Sequence, residues 1–252
     1  MAETAATPAS FGILADDPAY NATLAARIDD TDTLARVWIK PDGVPTPFEP
    51  GQYVTIGVKV GEKFVQRPYS VASSARALDG GYELYLRLVR GGAFTPLVFS
   101  LPVGHRLRVL APKGKFTMEP ADTRVQIYVS SGTGIAPFRS MVQYMHHNNI
   151  PHQNIHLIFG CRTLADGLYM NELSELSKQH SNIFFHPAFS RETSVPEGMH
   201  TGYVHHVYES LTTEKQPALF YLCGWKNMVD EARARIAALG YDKKNIHLEL
   251  YG

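Results

Sequence analysis

Short apolar runs separated by turn residues dominate the first half of the chain. Runs rich in β-branched and aromatic residues occur at positions 34–39, 53–60, 82–89 and 106–111. Proline and glycine punctuate them at positions 41–43, 50–51, 79–81 and 102–104. Short strands bounded in this way are typical of an antiparallel sheet that closes on itself or packs on a second sheet. The pattern predicts an all-β domain that ends near residue 119.

The second half alternates strand-like and helix-like stretches. Positions 125–129 read as a buried strand, positions 155–159, 183–187 and 218–223 are strand-like, and residues 246–252 form a last alternating run. Helical spacing separates most of these runs, at positions 137–147, 170–179 and 228–239. This alternation predicts βαβ units around a parallel sheet. The predicted fold class is therefore two-domain, with an antiparallel β-barrel domain at 1–119 followed by an α/β parallel-sheet domain at 120–252.

Composition narrows the possible partners. Lys plus Arg and Asp plus Glu both number 24, so the formal net charge is zero and nothing in it suggests a nucleic-acid or membrane partner. No apolar run approaches the ~20 residues of a membrane helix. The first 20 residues lack the basic and apolar regions of a signal peptide, so we expect a cytoplasmic protein. The two cysteines, Cys161 and Cys223, are too few for an iron–sulfur cluster, and we expect no metal site or disulfide framework.

Two segments of the β domain carry candidate binding chemistry. In the run from Gln66 to Ser73, an extended backbone places Arg67 and Tyr69 on one face, where they can hold a phosphate and cover a ring. Ser70 then offers a donor to the ring edge. The alternative is a strand end with a solvated arginine and a core tyrosine. The second segment, 87–95, ends a strand in two glycines before a short helical stretch, an arrangement suited to phosphate but also to a plain hairpin turn.

A glycine-rich turn opens the α/β domain. The sequence SSGTGIAP at 130–137 follows the first predicted strand and starts a helix, with Pro137 in the first turn. Strand, glycine turn and helix in this order can cradle a dinucleotide pyrophosphate, although the turn is not GxGxxG. A tight βα turn stabilised by proline is the alternative. Arg162 and Arg191 follow the next two strands, where ligands of parallel sheets bind.

The order of these motifs resembles the ferredoxin–NADP reductase family of flavoenzymes. The run RPYSVASS is similar to the family's flavin-binding signature, and GTGIAP is similar to its nicotinamide-nucleotide loop. The resemblance implies FAD as cofactor, NADP(H) as hydride partner and a ferredoxin or flavodoxin as electron partner. Its implied FAD-binding residues are Arg67, Pro68, Tyr69, Ser70, Arg87, Leu88, Val89, Gly91, Gly92, Ala93 and Thr95. Within that set, the family's roles are pyrophosphate contact for Arg67, ring stacking for Tyr69 and a hydrogen bond to flavin N5 for Ser70.

The resemblance also assigns the dinucleotide and the reacting centre. Its implied dinucleotide-binding residues are Gly132, Thr133, Gly134, Pro137, Arg162, Ser190, Arg191, Tyr203, Cys223 and Gly224. In the family, the Ser190–Arg191 pair grips the 2′-phosphate. Bacterial relatives often place an arginine where this chain has Tyr203, and Glu192 keeps an NAD-specific site open. The implied catalytic residues are Ser70, Cys223, Glu249 and Tyr251, with Cys223 positioning the nicotinamide, Glu249 handling a proton and Tyr251 stacking on the flavin as a displaceable gate.

The predicted function is ferredoxin (or flavodoxin)–NADP⁺ oxidoreduction. Alternatives are an NAD(P)H-dependent flavin reductase, the reductase component of an oxygenase system, and a non-catalytic electron-transfer subunit. The last is disfavoured because relatives of that kind typically carry a cysteine-ligated cluster. A hydrolase or a P-loop kinase is excluded because the chain has neither GxSxG nor a Walker loop.

Overall fold

The computed structural model describes residues 8–75, 81–119 and 121–251. Residues 79 and 80 of the predicted 79–81 turn lie outside these described residues, as does residue 252 of the predicted last strand. The chain divides into two compact units, Met1–Thr117 and Met118–Gly252. Within the described residues, no helix has the length and apolar character needed to cross a membrane.

The first unit is an antiparallel sheet of six strands in the order β4-β3-β6-β1-β2-β5. Its elements are β1 (Ala22–Thr31), β2 (Leu34–Pro41), β3 (Tyr53–Val60), β4 (Lys63–Ser70), β5 (Tyr82–Arg87), α1 (Thr95–Ser100) and β6 (Arg106–Lys113). The chain just beyond β4 then bridges to β5, through a Val71–Leu84 pair and a 2.8 Å bond from the Ala72 amide to the Glu83 carbonyl. The two outer strands thus meet, and the sheet closes into the predicted barrel around one apolar core.

Two barrel strands depart from the sequence prediction. Strand β1 was not predicted, and only Ala22 and Leu24 of its ten residues are buried. Strand β4 was not predicted either, although its last four residues, Arg67 to Ser70, belong to the run that was expected to be extended. Strand β5 ends at Arg87, so Leu88 and Val89 belong to the loop that follows it.

The second unit is a six-stranded sheet in the order β10-β9-β8-β7-β11-β12, and every strand pair in it is parallel. Its strands are β7 (Val125–Ser131), β8 (Ile155–Cys161), β9 (Ile183–Phe189), β10 (His200–Thr201), β11 (Ala218–Trp225) and β12 (Ile246–Tyr251). Its helices are α2 (Ala136–His147), α3 (Met170–Gln179), α4 (Val204–Leu211) and α5 (Lys226–Ala238). The central strands β7 and β11 are almost wholly buried, which is why their sequences are mostly apolar and do not alternate with polar residues.

The strand order reverses between β7 and β11. The chain moves outward from β7 through β8 and β9 to β10, and then returns to place β11 and β12 on the other side of β7. Open parallel sheets bind ligands at the carboxyl ends of the strands that flank such a reversal.

The helices of the second unit agree with the sequence prediction except for one. Helix α4 was not predicted. The other three helices and the parallel sheet confirm the predicted α/β domain, and Gly240 follows α5 with the positive φ of 95° expected after a helix end.

Candidate functional site

In the first unit, the end of β4 carries the candidate flavin-binding signature. Arg67 and Pro68 are exposed, Tyr69 is partly buried and Ser70 is buried. The Arg67 guanidinium reaches the adjacent Gln66 carbonyl at 2.8 Å and is otherwise directed at solvent. Burial raises the pKa of Tyr69 well above its ordinary value, so the hydroxyl stays neutral. A cation, a neutral aromatic ring and a hydroxyl thus follow one another along four residues.

The 87–95 segment meets this strand end. The Tyr69 ring lies 6.1 Å from the Phe94 ring, centroid to centroid, with the planes tilted by 34°. The loop is held in a tight turn, because the Thr95 hydroxyl accepts the Val89 amide at 2.9 Å and the Gly92 amide donates to the Val89 carbonyl at 2.9 Å. Gly91 has a φ of 77°, which glycine adopts without strain.

The chemistry of these two segments fits FAD. A flavin needs a partly buried aromatic surface and a polar ring-edge partner, and Tyr69 and Ser70 supply both side by side. The diphosphate needs a cation and approachable backbone amides, and Arg67 with the exposed Gly91 to Ala93 turn supplies these. Thr95 was expected to offer its hydroxyl to a phosphate. Here that hydroxyl accepts the Val89 amide and so fixes the turn, and its contact with a phosphate stays a prediction.

In the second unit, residues 131–134, here called the glycine loop, lie at the strand-order reversal. The loop forms a 3₁₀ turn that leads directly into α2, with Pro137 in the first helical turn. A Cβ on Gly134 would lie 2.7 Å from the Cys223 carbonyl carbon and 2.8 Å from the Gly224 Cα. Gly224 has a φ of 143°, and its own Cβ would lie 2.9 Å from the Ser131 carbonyl oxygen. The glycine loop and the end of β11 are therefore in direct backbone contact.

Three proposed catalytic side chains gather at the ends of β11 and β12. Strand register pairs Cys223 with Glu249 and Trp225 with Tyr251. The Cys223 thiol is fully buried, and its pKa is raised well above its ordinary value, first by burial and then by the Glu249 carboxylate. A hydrogen bond from the Tyr251 side chain opposes this rise. At neutral pH the thiol is therefore protonated, and it is hydrogen-bonded to the Tyr251 side chain. Ser70, the fourth proposed catalytic residue, belongs to the first unit, and its approach to Cys223 stays a prediction.

The predicted 2′-phosphate site lies on the other side of the glycine loop. Arg162 follows β8, Arg191 follows β9, and both are exposed. Their turns are joined, because the Arg191 amide donates to the Arg162 carbonyl at 2.8 Å and the Ser190 amide donates to the Cys161 carbonyl at 3.0 Å. Tyr203, after β10, is 67% exposed and its ring is available for stacking.

Glu192 is engaged with the protein itself. Its carboxylate accepts the Leu164 amide at 2.9 Å, which ties the turn after β9 to the turn after β8. An acidic residue at this position can favour NAD by accepting hydrogen bonds from the ribose hydroxyls.

The Cys161 thiol, at the end of β8, lies 3.3 Å from the Thr163 carbonyl. Burial is the main cause that raises the pKa of Cys161 to about 12, and the charges of Asp166 and Glu192 add to it.

Sequence reasoning missed Ser131 and Trp225. The Ser131 hydroxyl accepts the Trp225 amide at 3.2 Å and so bonds the glycine loop to the end of β11. Trp225 is 49% exposed at this edge of the sheet. Ser131 stands inside the SSGTGIAP run and Trp225 directly follows Gly224, and a large aromatic residue at the end of a predicted buried strand was the available signal.

Comparison with known proteins agrees with this two-part arrangement. Residues 43–118 match the family model described as an oxidoreductase FAD-binding domain, and residues 128–234 match the model of an oxidoreductase NAD-binding domain. The fold and the matched domains define an oxidoreductase with an FAD-binding domain and an NAD(P)-binding domain.

Individual relatives specify the family. The chain is 30% identical to ferredoxin–NADP reductase B of Sorangium cellulosum over 221 aligned residues. The alignment covers 84% of this chain and 88% of that protein. It is also 30% identical to reductase component 1 of terephthalate 1,2-dioxygenase from a Comamonas species, over 92% of this chain and 66% of that protein. The chain thus spans just under two thirds of this second relative.

A solved structure shares the same fold. The crystal structure of a ferredoxin–NADP⁺ reductase from Neisseria gonorrhoeae with bound FAD and NADP matches with a TM-score of 0.80 and 21% identity, over 91% of this chain and 97% of that one. The chain belongs to the ferredoxin–NADP reductase family.

Proposed function

We propose that this flavoprotein reductase is a ferredoxin (or flavodoxin)–NADP⁺ oxidoreductase that transfers hydride between NADP(H) and FAD. The observation that carries the proposal is the grouping of Cys223, Glu249 and Tyr251 beside the glycine loop. This group of residues supplies a buried neutral thiol, a carboxylate and an aromatic side chain that is hydrogen-bonded to the thiol. It lies at the carboxyl ends of the strands, which is where a parallel sheet binds its ligand. When bound, FAD supplies the exchange between two-electron and one-electron transfer.

The first unit's residues hold the cofactor in this proposal. Arg67 and the amides of the 87–95 segment bind the FAD diphosphate, and Tyr69 covers the flavin ring. Ser70 is buried at the end of β4 and donates to the ring edge. The matched FAD-binding domain and the Tyr69–Phe94 contact support this assignment.

The second unit's residues orient the nicotinamide. Tyr251 bonds to Cys223, so it occupies the surface of the thiol that the nicotinamide ring must reach. Displacing Tyr251 therefore accompanies productive binding, and the ring acts as a gate. Cys223 then sets the position of the nicotinamide, which is the main protein contribution to hydride transfer. Glu249 is held opposite Cys223 by strand register and handles the proton.

We propose NADP(H) as the coenzyme in preference to NAD(H). Arg162 and Arg191 lie exposed on joined turns, where a guanidinium can bind a phosphate with two parallel bonds. One oxygen of Glu192, the residue that would favour NAD, accepts the Leu164 amide, which ties this carboxylate to the turn after β8. Ser190 and Tyr203 complete the adenosine end of the site.

Replacing Arg191 by alanine tests the coenzyme assignment. Loss of a hydrogen-bonded charge at the 2′-phosphate should lower kcat/KM for NADPH by about 10- to 100-fold and leave the NADH value unchanged. Arg233→Ala, which removes an exposed arginine from α5, is the matched control. Equal losses with both coenzymes, or no loss with NADPH, would contradict the assignment.

The electron acceptor is tested with the native protein. A yellow preparation that reduces cytochrome c with NADPH only when a ferredoxin or flavodoxin is added supports the proposal. A preparation that reduces free flavin directly supports the flavin reductase alternative. The relative named as a dioxygenase reductase component favours a third outcome, in which an oxygenase component is the acceptor.

A further inference from the structure

Tyr169 holds a backbone conformation that residues other than glycine rarely adopt. It directly precedes α3, and its φ and ψ of 54° and 23° lie in the left-handed region. In that region the Cβ of an L-residue crowds the following carbonyl oxygen, so an aromatic residue there is strained. Such strain persists only where neighbouring groups hold the residue in place, and it is concentrated at functional sites. The groups that hold Tyr169 therefore identify what this part of the fold keeps fixed.

Arg139 contacts both Tyr169 and the start of α3. It lies near the start of α2, and its side chain is only 10% exposed. The guanidinium carbon is 4.3 Å from the centre of the Tyr169 ring. Its Nε and Nη2 donate to the two carboxylate oxygens of Glu172, at 2.8 and 2.9 Å, and Gln143 donates to the same carboxylate at 2.6 Å. Arg139 thus ties Tyr169 and the first turn of α3 to α2.

The segment that ends at Tyr169 also carries a proposed phosphate-binding residue. It connects β8 to α3 over residues 162–169, here called the β8–α3 turn, and Arg162 is its first residue. The turn is closed internally, because the Asp166 carboxylate accepts the Thr163 amide at 3.1 Å and the Thr163 hydroxyl at 2.9 Å. A displacement of Tyr169 is therefore passed along this short turn to the backbone of Arg162.

The helix that carries Arg139 is fixed at its own start. Helix α2 directly follows the glycine loop, and the Ser131 hydroxyl of that loop accepts the Trp225 amide at 3.2 Å. The glycine loop is thus held to β11 independently of Arg139, whereas the far end of the β8–α3 turn is held by Arg139. Arg139 therefore relates the position of this turn to the position of the glycine loop.

We propose that Arg139 is a positioning residue for recognition of the 2′-phosphate of the coenzyme. By holding Tyr169 and Glu172, it sets the β8–α3 turn in the place from which the Arg162 guanidinium binds the phosphate. Arg139 acts through Arg162 and not through a contact of its own with the ligand. This inference rests on the proposed function, because it takes NADP(H) as the coenzyme and Arg162 as one of its phosphate-binding residues.

Calorimetric titration of the FAD-loaded protein with two adenosine nucleotides tests this role without turnover. Adenosine 2′,5′-bisphosphate and adenosine 5′-monophosphate differ only in the 2′-phosphate, so the ratio of their Kd values isolates its recognition. Arg139→Lys keeps the charge but loses the planar fork that stacks on Tyr169 and makes two bonds to Glu172. The Kd for the bisphosphate should rise about two- to thirtyfold, the range for residues that act on a site through a network of contacts. The Kd for the monophosphate should stay within about twofold of the native value.

Two further variants control this experiment. Arg235→Lys alters a comparable arginine, which pairs with Glu209 of α4 and Glu231 of α5, and both of its Kd values should stay within about twofold of native. Tyr169→Gly allows the left-handed conformation without strain and removes the ring on which Arg139 stacks. It should reproduce the selective loss of bisphosphate affinity, and it replaces Arg139→Lys in the test if that variant does not fold.

Each outcome separates the inference from the proposed function. If the native protein binds the two nucleotides equally, the NADP assignment fails and the inference fails with it. If the native protein prefers the bisphosphate, an unchanged preference in folded Arg139→Lys, or in Tyr169→Gly where it replaces that variant, refutes the role of Arg139 and leaves the proposed function standing. Equal weakening of both nucleotides would mean that Arg139 supports the unit as a whole, and would also refute the positioning role.

Discussion

Replacing Gly134 by alanine places a methyl group inside the contact between the glycine loop and the end of β11. The new carbon would stand 2.7 Å from the Cys223 carbonyl carbon and 2.8 Å from the Gly224 Cα. Carbon atoms pack comfortably at ~3.5 Å, so the two backbone segments must separate by about 0.8 Å. Both neighbours are backbone atoms of a buried strand, and no side-chain rotation relieves the clash.

This displacement has two measurable effects. Overpacking of a buried contact costs about 1–3 kcal/mol of unfolding free energy, which lowers the Tm of the second unit by roughly 2–12 °C. It also shifts the loop that is proposed to hold the pyrophosphate. Since a misplacement near 1 Å can reduce catalysis by about a hundredfold, kcat/KM for NADPH should fall by up to that factor.

Thermal unfolding followed by circular dichroism, together with steady-state NADPH oxidation, measures both effects. Gly43→Ala is the matched control, because its new Cβ meets no atom within 4 Å and its φ is ordinary. We expect that control to keep the native Tm and activity. A Gly134→Ala protein with native Tm and native kcat/KM would refute the steric reasoning. A native Tm with reduced activity would show that the end of β11 is displaced without a loss of unfolding free energy.

Two further predictions concern titratable groups. Burial raises the pKa of Cys161 to about 12 and keeps the Cys223 thiol protonated, so iodoacetamide at pH 8 should label neither thiol in the folded protein and both in urea, as judged by mass spectrometry. Fast labelling of either thiol in the folded protein would contradict the predicted protection. Burial, with His156 and His200 adding to it, lowers the pKa of His186 to about 4. The unfolded chain therefore binds this proton at a higher pH than the folded one, and stability is lost as pH falls from ~6.5 to ~4, by about 3 kcal/mol. His186→Phe should reduce the fall in Tm over this window, and an unchanged slope would refute the assignment.

The sequence was most informative where strands are buried on both faces. Strands β7 and β11 were predicted to within two residues because every internal position except Gln126 is apolar or small. Strand β1 was missed because most of its outer face is polar and exposed, and only two of its residues enter the core. Helix α4 has eight residues and no side-chain cap at Tyr203, so neither length nor a capping signal identified it.

Individual motifs of the site were also predictable, but their partners were not. The sequence identified Thr95 and Glu192 as polar groups near a ligand, but it did not identify the bonds that fix their side chains, to Val89 and to Leu164. These bonds join residues six and 28 positions apart, and they depend on how two loops pack. Periodicity describes single segments, so contacts between loops at a sheet edge lie beyond its reach.

The glycine contact explains why the motifs of the second unit act together. Gly134 and Gly224 each exclude a side chain that would strike the other segment, and Ser131 bonds the same two segments through the Trp225 amide. A displacement of the β11 end therefore moves Cys223, Trp225 and the glycine loop as one body. Because Glu249 and Tyr251 are held to this strand by register, the same displacement reaches them. The proposed sites for the pyrophosphate and the nicotinamide thus share one element, and a change at either glycine should weaken the binding of both.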